Sequence, residues 1–165
     1  RNFMIEIIFI DVDGSLTDGG IYKTNSDDEF KKFDVKDGFG IQEWLRIGKK
    51  IAIITGKSSK IVENRAKELK IPYFFQGVKD KFQKAREILE LENLDFSNAA
   101  AIGDDLNDMK LLNAVKISFK PADALSSVKA DITLSKNGGN GAVREMIEIL
   151  VDRENLRDEW NKNWL

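Results

Sequence analysis

Histidine and cysteine are both absent from the 165 residues of this chain. Without cysteine, neither a disulfide nor a thiolate metal site can form. Without histidine, the Ser-His-Asp and Cys-His catalytic arrangements and histidine-bound zinc are excluded, together with the commonest general base. Any catalysis must therefore use carboxylates, lysine, hydroxyl groups or a bound metal ion.

An excess of charge of one sign is lacking as well. The chain carries 26 Lys+Arg and 28 Asp+Glu, for a formal net charge of -2, so nothing points to nucleic acid as a partner. No apolar run approaches the length needed to cross a membrane, and the first residues lack the pattern of a signal peptide. We therefore expect a cytoplasmic protein whose partner is neither nucleic acid nor a membrane.

The chain does contain an alternation of short apolar runs and helical patterns. Runs such as "IEIIFI" (residues 5–10) and "KIAIIT" (residues 50–55) predict buried strands, and the segments between such runs predict helices. This order predicts an α/β fold, a Rossmann-like three-layer sandwich with a mostly parallel sheet. We expect one domain over residues 1–165, with a protruding β-hairpin at residues 19–34, a short helix near residues 123–128 and a C-terminal tail at residues 152–165.

Polar side chains follow several of the predicted strands. In chain order they are Asp11 and Asp13 after the first strand, Thr55 after the second, Lys81 shortly after the third, and Asp104 after the fourth. Because the carboxyl ends of parallel strands lie at one edge of a sheet, these side chains should converge. Carboxylates gathered in a cleft repel one another and lose hydration, and a hard divalent cation offsets that cost. Oxygen ligands alone favour Mg²⁺.

These residue types predict phosphoryl transfer. Asp11 would attack phosphorus and form an aspartyl-phosphate. Asp13 would protonate the leaving oxygen and then deprotonate the water that hydrolyses the intermediate. Thr55, Lys81 and Mg²⁺ would hold the phosphoryl oxygens, and Gly14 would let the backbone approach them closely.

Several alternatives stay open from the residues alone. Lys81 could be a solvated surface lysine, and Asp105 and Asp108 could cap the following helix rather than contact the metal shell. A signalling receiver domain also combines acidic residues, threonine, lysine and Mg²⁺ on a parallel sheet. Its phospho-accepting Asp follows a middle strand, whereas the middle strand here ends in Thr55, which favours an enzyme.

The segment "DVDGSLTDG", which begins at Asp11, resembles the first motif of the haloacid dehalogenase-like phosphatases. The later motifs of that superfamily are matched in order by "IITG" with Thr55, by Lys81, and by "GDDLND" with Asp104. The stretches "DGGIYKTNSDDEFKKFDVKDGFGI", "YFFQGVKDKF" and "GGNGAVREMIEIL" are similar to its capless subgroup, the 3-deoxy-D-manno-octulosonate 8-phosphate phosphatases.

The resemblance implies a Mg²⁺-dependent phosphatase without a cap domain, with Mg²⁺ bound by Asp11, the backbone carbonyl of Asp13, and Asp104. It also implies a homotetramer in which the hairpins pack together and a neighbouring subunit's C-terminal segment helps to close each active site. The implied substrate is a small-molecule phosphorylated 2-keto sugar acid, 3-deoxy-D-manno-octulosonate 8-phosphate. The implied role is synthesis of a lipopolysaccharide sugar.

The motifs indicate less clearly which residues contact the sugar acid. We predict contacts from Asp13 and Lys81 and from a further set: Asp34, Lys36, Asp37, Gly38, Gly56, Lys57 and Arg65. The octulosonate group usually has arginine at the positions of Gln42, Lys57 and Asn140, and lysine does not replace arginine in bidentate recognition. A nine-carbon sialic-type keto-acid 9-phosphate, or a module associated with an acylneuraminate cytidylyltransferase, therefore stays an alternative.

Some of these positions also have purely structural interpretations. Asp37 could cap a helix, and Arg65 could lie on a solvated helix face. Trp160 and Trp164 lie in the charged tail, where exposed tryptophans would indicate docking, for example within the oligomer.

Overall fold

The structure, a computed structural model, describes residues 4–165, so residues 1–3 of the predicted domain lie outside the described residues. The described β-strands are β1 (Ile7–Ile10), β2 (Tyr22–Lys23), β3 (Glu29–Phe30), β4 (Lys50–Ile54), β5 (Tyr73–Phe75), β6 (Ala99–Ile102), β7 (Ile117–Lys120) and β8 (Ile132–Thr133). The α-helices are α1 (Val35–Arg46), α2 (Lys60–Glu68), α3 (Lys81–Leu91), α4 (Met109–Ala114), α5 (Ala142–Arg153) and α6 (Arg157–Asn161). None of the helices in this part of the chain is long and apolar enough to cross a membrane.

Six of the strands form one parallel sheet, in the order β5-β4-β1-β6-β7-β8. β1 lies between β4 and β6, and Ile7 pairs with Lys50 on one side and with Ala99 on the other. All four residues of β1 are buried. Its sequence is apolar without alternation because both faces of a central parallel strand are covered.

Two hydrophobic clusters cover the two faces of the sheet. Ile8 and Ile10 belong to a cluster with residues of α1, α2 and α5, among them the fully buried Trp44. Ile7 and Phe9 belong to a second cluster with residues of α3 and α4. The sheet is therefore the middle layer of three, and the predicted Rossmann-like three-layer sandwich is confirmed.

The strand order creates a crevice at the carboxyl end of β1. The chain adds β4 and β5 on one side of β1 and then places β6, β7 and β8 on the other side. Ligands of open parallel sheets bind where the direction of strand addition reverses in this way. Asp11, Thr55 and Asp104, which follow β1, β4 and β6, lie at this edge of the sheet.

The insertion between β1 and α1 is an antiparallel hairpin made of β2 and β3, as predicted. Tyr22 lies opposite Phe30, and their exposed fractions are 53% and 57%. At the base of the hairpin, an isolated bridge pairs Thr17 with Phe33 and ties the returning chain to the segment after β1. Elsewhere in residues 4–165, successive sheet strands are joined by helices or turns alone, so no cap domain is present there.

The prediction of a short helix near residues 123–128 is wrong. This segment consists of turns, one of them closed by the N–H of Val128, which donates to the carbonyl of Leu125 at 3.0 Å. The N–H of Leu125 donates to the carbonyl of Asp104 at 3.2 Å, a tertiary hydrogen bond in place of a helical one. Contact with the segment after β6 therefore overrides the local helical pattern.

The charged tail folds back onto its own chain. Trp160 of α6 is only 4% exposed and belongs to the main hydrophobic cluster. The Arg46 guanidinium donates to the carbonyls of Glu159 and Trp160 at 3.2 and 3.1 Å, and the indole N–H of Trp164 donates to Glu43 at 2.6 Å. The tail therefore docks within the subunit, and of the two tryptophans Trp164 alone is exposed, at 57%.

A buried carboxylate joins α1 to α5. Asp37 lies in the first turn of α1, and its Oδ1 accepts a hydrogen bond of 2.8 Å from the N–H of Arg144. Asp37 is fully buried, and its Oδ2 has no hydrogen-bond partner among the described residues. Burial raises the pKa of Asp37 from 3.8 to about 6. The N-cap of α1 is Asp34, which accepts from the N–H of Lys36 at 2.7 Å, so Asp37 does not cap its own helix.

This carboxylate should make folding stability depend on pH in a specific direction. The folded chain holds the Asp37 proton more tightly than the unfolded chain, so the contribution of Asp37 to stability is complete below its unfolded pKa. That contribution is lost as pH rises through the folded value of about 6.

Asp37→Asn keeps an oxygen acceptor for the N–H of Arg144 and cannot ionise. Between about pH 4 and about pH 7, the difference in unfolding free energy should therefore shift in favour of the variant by up to about 3 kcal/mol. Urea unfolding of both proteins across this interval measures the shift. A difference that stays constant with pH would contradict the assignment.

Candidate active site

The segment after β1, residues 11–18, presents Asp11 at the edge of the sheet, and we call it the β1 loop. The N–H of Asp11 donates to the carbonyl of Ile102 at 3.2 Å, which continues the pairing of β1 with β6 by one residue. The chain then makes a wide turn in which the N–H of Thr17 donates to the carbonyl of Val12 at 2.9 Å. This turn directs the residues after Asp11 back over the strand ends.

Glycines let other segments lie directly against the β1 loop. Gly14 has φ of +91°, and a Cβ at this position would overlap the carboxylate of Asp104. On another side of the loop, the N–H of Gly139 donates to the carbonyl of Ser15 at 3.1 Å, and a Cβ on Gly138 would overlap the carbonyl of Gly14. The two glycines before α5 therefore support the β1 loop of their own subunit.

Lys81 connects the strand ends electrostatically. It is the first residue of α3, after the N-cap Asp80, and its side chain is only 2% exposed. Its ammonium group donates to Oδ1 of Asp11 and to Oδ1 of Asp108, each at 2.7 Å. Burial alone would lower the pKa of Lys81, but the two carboxylates outweigh burial and raise it. The alternative of a solvated surface lysine is therefore wrong.

The segment after β6 carries three aspartates with different environments. Asp108 is buried, and its Oδ2 accepts hydrogen bonds from the N–H groups of Asp104 and Asp105 at 3.0 and 3.2 Å. Asp105 is exposed and caps the short 3₁₀ turn that follows by accepting from the N–H of Leu106 at 2.6 Å. Asp108 thus orients the backbone and Lys81, while Asp104 is left to face Asp11.

The carboxylates of Asp11, Asp104 and Asp108 form a cluster that suits a divalent cation, with oxygens within 4.8 Å of one another. Burial and repulsion from Asp108 raise the pKa of Asp11 well above its ordinary value, although Lys81 opposes the rise. Burial likewise raises the pKa of Asp104. Without a cation, the site therefore disfavours ionisation of both Asp11 and Asp104. A hard divalent cation would favour the ionised form of both carboxylates.

The side chain of Asp13 lies apart from this cluster. Its Oδ1 accepts a hydrogen bond of 2.7 Å from the ammonium group of Lys31, on the returning limb of the hairpin. Sequence reasoning missed Lys31, since nothing local in "EFKKF" indicates which of its two lysines turns toward the strand ends. Any metal contact from Asp13 would therefore come from its backbone carbonyl, as the resemblance implies.

A polar cleft of about 290 Å³ opens above these residues, and we call it the acidic cleft. Its lining includes Asp11, Asp13, Thr55, Gly56, Lys57 and Asp104. Thr55 is 3% exposed and is fixed by its N–H, which donates to the carbonyl of Phe75 at 2.9 Å. Asn107 also lines the acidic cleft and was not predicted, although it belongs to the "GDDLND" motif.

Arg65 lines a second cleft, of about 460 Å³, which we call the hairpin cleft. Its other lining residues are Lys31, Phe33, Val35, Ile61, Asn64 and Glu68. The Arg65 guanidinium lies 5.6 Å from the centre of the Phe33 ring and donates to Glu68 at 3.2 Å. Arg65 is therefore not on a fully solvated face, and Lys31 lines this cleft while contacting Asp13 in the acidic cleft.

The remaining predicted substrate contacts lie at the start of α1, and they do not line the acidic cleft. Asp34 caps the helix, and Lys36 is exposed and accepts from the Arg144 guanidinium through its carbonyl at 3.2 Å. Asp37 is fully buried, and Gly38 lies against the guanidinium of Arg65. In this subunit, Asp37 bonds to α5 and offers no exposed surface to a ligand.

Comparison of the sequence with known proteins finds relatives that agree with one another in family. A profile of the haloacid dehalogenase-like hydrolases matches residues 74–146. The chain is 39% identical over 157 residues to the 3-deoxy-D-manno-octulosonate 8-phosphate phosphatase of Escherichia coli (strain K12), a match covering 94% of this chain and 84% of the relative. The phosphatase of the same name from Yersinia pestis is 38% identical over 149 residues, covering 89% of this chain and 80% of the relative.

Solved structures agree with the sequence relatives. The 3-deoxy-D-manno-octulosonate 8-phosphate phosphatase of Moraxella catarrhalis, in complex with magnesium ion, phosphate ion and KDO, is similar with a TM-score of 0.93 and 36% identity. That match covers 98% of this chain and 94% of the other. The cobalt-bound deoxy-D-mannose-octulosonate 8-phosphate phosphatase of Haemophilus influenzae has a TM-score of 0.88 at 33% identity, covering 93% and 91% of the two chains.

The acidic cluster predicts that Mg²⁺ stabilises the fold. At a Mg²⁺ concentration about 100-fold above its dissociation constant, the unfolding temperature should rise by roughly 5–10 °C. Asp104→Asn should lose most of this rise because it removes one ligand. Asp105→Asn is a matched control one residue away: Asp105 also lines the acidic cleft but lies outside the carboxylate cluster and caps the following turn, so this variant should keep the rise. Thermal unfolding with and without Mg²⁺ measures the effect, and equal shifts in both variants would contradict the ligand assignment.

Proposed function

The chain belongs to the 3-deoxy-D-manno-octulosonate 8-phosphate phosphatase family of haloacid dehalogenase-like hydrolases, and from this premise we propose that it is a Mg²⁺-dependent phosphomonoesterase. Its proposed reaction converts 3-deoxy-D-manno-octulosonate 8-phosphate to 3-deoxy-D-manno-octulosonate and phosphate through an aspartyl-phosphate. The main support for this proposal is that Asp11, Asp104 and the ammonium group of Lys81 converge at adjacent strand ends. This arrangement supplies a nucleophile, a metal ligand and a cation at one point.

The proposed mechanism begins with Asp11. The carboxylate oxygen of Asp11 forms a bond to phosphorus as the bond from phosphorus to the sugar oxygen breaks. Asp13 donates a proton to that leaving oxygen. Asp13 then takes a proton from water, whose oxygen attacks phosphorus and releases phosphate and the free Asp11 carboxylate.

The other polar residues of the acidic cleft act by orientation and charge. When bound, Mg²⁺ would be held by the carboxylates of Asp11 and Asp104 and the backbone carbonyl of Asp13, and it would neutralise negative charge at phosphorus. Lys81, buried beneath the cleft, orients Asp11 through its ammonium group and would add positive charge near the phosphoryl oxygens, and the hydroxyl of Thr55 would donate a hydrogen bond to them. Lys57 and Gly56 line the same cleft and would contact the bound phosphate ester.

We assign the sugar acid to the hairpin cleft next to the acidic cleft. Arg65 lines this cleft, and its Nε is buried without a hydrogen-bond partner among the described residues. A carboxylate of the substrate would give this guanidinium a bidentate partner. Asp34 and Lys36, at the start of α1, remain proposed contacts, and buried Gly38 would act only by letting the Arg65 guanidinium pack against α1. Asp37 is reassigned to the joint between α1 and α5 because it is fully buried.

The assembly and setting of the enzyme are also proposals. Tyr22 and Phe30 form an exposed cross-strand pair on the hairpin, with Ile21 exposed beside them and Val35 81% exposed at the start of α1. This apolar surface supports a homotetramer in which the hairpins pack together. A cytoplasmic enzyme supplying a lipopolysaccharide sugar is consistent with the proposed substrate.

A substrate panel tests the proposal, with phosphate release measured for octulosonate 8-phosphate, nine-carbon keto-acid 9-phosphates, hexose phosphates and p-nitrophenyl phosphate. We expect the highest kcat/KM with octulosonate 8-phosphate and a loss of several orders of magnitude in Asp11→Asn for every substrate. A preference for nine-carbon acids would support the alternative substrate. A preference for hexose phosphates would refute the substrate class, and an active Asp11→Asn would refute the mechanism.

The same panel tests the role of Arg65. Arg65→Ala should lower kcat/KM for sugar-acid phosphates by roughly 10- to 100-fold, the loss of one charge-assisted interaction, and affect p-nitrophenyl phosphate much less. Arg86→Ala, which removes an exposed arginine from α3, is the matched control and should change neither rate. Equal losses on both kinds of substrate would leave Arg65 without a role in specificity.

A further inference from the structure

The side chain of Lys31 is buried although the residues on either side of it are exposed. Its neighbours Phe30 and Lys32 are exposed, yet the side chain of Lys31 is only 2% exposed. Its ammonium group lies 2.7 Å from Oδ1 of Asp13, whose own side chain is 26% exposed. A buried ammonium group is costly unless it is paired, so this contact fixes both partners.

The surrounding chain determines which lysine reaches Asp13. The bridge between Thr17 and Phe33 holds the returning limb of the hairpin in an extended form beside the β1 loop. Successive side chains of an extended segment point to opposite sides. Lys32 accordingly points away from Asp13 and donates to the carbonyl of Gly139 and, at 2.8 Å, to Oδ1 of Asn140.

We propose that Lys31 is a positioning residue for the acid/base carboxylate of Asp13, an inference that rests on the proposed phosphatase mechanism. Asp13 follows Asp11 in a non-helical part of the β1 loop and lies outside the cluster held by Lys81. The hydrogen bond to Oδ1 restricts the orientation of the carboxylate and leaves Oδ2 to exchange a proton with the leaving oxygen. Because Lys31 also lines the hairpin cleft, the alkyl part of its side chain would lie beside the leaving group of a substrate bound there.

This role predicts a dependence on the leaving group. An alkyl phosphate expels a strongly basic alkoxide and needs a proton from a correctly oriented Asp13, whereas p-nitrophenyl phosphate expels a stable phenolate and does not. The ratio kcat/KM reports the steps up to release of the alcohol, so hydrolysis of the aspartyl-phosphate does not obscure the comparison. A residue that served only to stabilise the fold would affect both substrates equally.

The experiment measures kcat/KM of Lys31→Met for octulosonate 8-phosphate and for p-nitrophenyl phosphate. The expected loss is about 10- to 100-fold for the alkyl ester and less than about threefold for the aryl ester, the size of effect that misplacing a catalytic group causes. Equal losses, or no loss, would overturn the proposal. Lys129→Met removes an exposed lysine that lines neither the acidic cleft nor the hairpin cleft and should change neither value. Lys31→Gln provides a second, polar replacement with the same expected selectivity.

A double variant separates positioning from an independent effect. If Lys31 acts through Asp13, then adding Lys31→Met to Asp13→Asn should cause no further loss of kcat/KM for the alkyl ester. Multiplicative losses in the double variant would show that Lys31 acts independently, and would overturn the proposal.

Failure of this inference can be distinguished from failure of the proposed function. If the wild type hydrolyses a simple alkyl phosphate but not the keto-acid phosphate, the substrate assignment fails, and the comparison for Lys31 uses that alkyl ester instead. If the wild type hydrolyses octulosonate 8-phosphate and Lys31→Met loses both substrates equally, the positioning role alone fails.

Discussion

Two hydrogen bonds from one buried ammonium group hold the site together. Lys81 donates to Asp11, which follows β1, and to Asp108, in the turn after β6, at 2.7 Å each. Buried carboxylates at neighbouring strand ends would otherwise repel each other. Removing one member of such a buried ion pair costs on the order of 3–5 kcal/mol because the remaining charge loses its compensation. The geometry around Asp11 therefore depends on a lysine 70 positions away in the chain.

The β1 loop is also held by contacts that reach it from the hairpin and from the start of α5. Gly138 and Gly139 lie against its backbone, and Lys32 binds the carbonyl of Gly139. Lys31, on the other side of the same limb, binds Asp13. The hairpin is thus part of the proposed site as well as the surface that we propose for assembly. In the proposed tetramer, a change in how the hairpins pack would reach Asp13 through Lys31.

Local sequence signals predicted the features that depend on local physics. Apolar runs located the sheet strands, and polar residues just after them located Asp11, Thr55 and Asp104, because parallel strands align their carboxyl ends. Features that depend on distant partners were not predictable in this way. The contact of Lys31 with Asp13 spans 18 positions and that of Asp37 with Arg144 spans 107. The helix expected near residues 123–128 failed for the same reason, since a tertiary hydrogen bond replaced the local one.

In the proposed mechanism, the carboxylate of Asp11, held by Lys81, bonds covalently to phosphorus. Rapid quenching during turnover, followed by borohydride reduction, converts an aspartyl-phosphate to homoserine, and mass spectrometry of peptides then locates it. We expect homoserine at position 11 in enzyme quenched with substrate, and none in enzyme quenched without it. Homoserine at another aspartate, or none at position 11 in enzyme quenched while a phospho-enzyme accumulates, would contradict the assignment of Asp11 as the nucleophile.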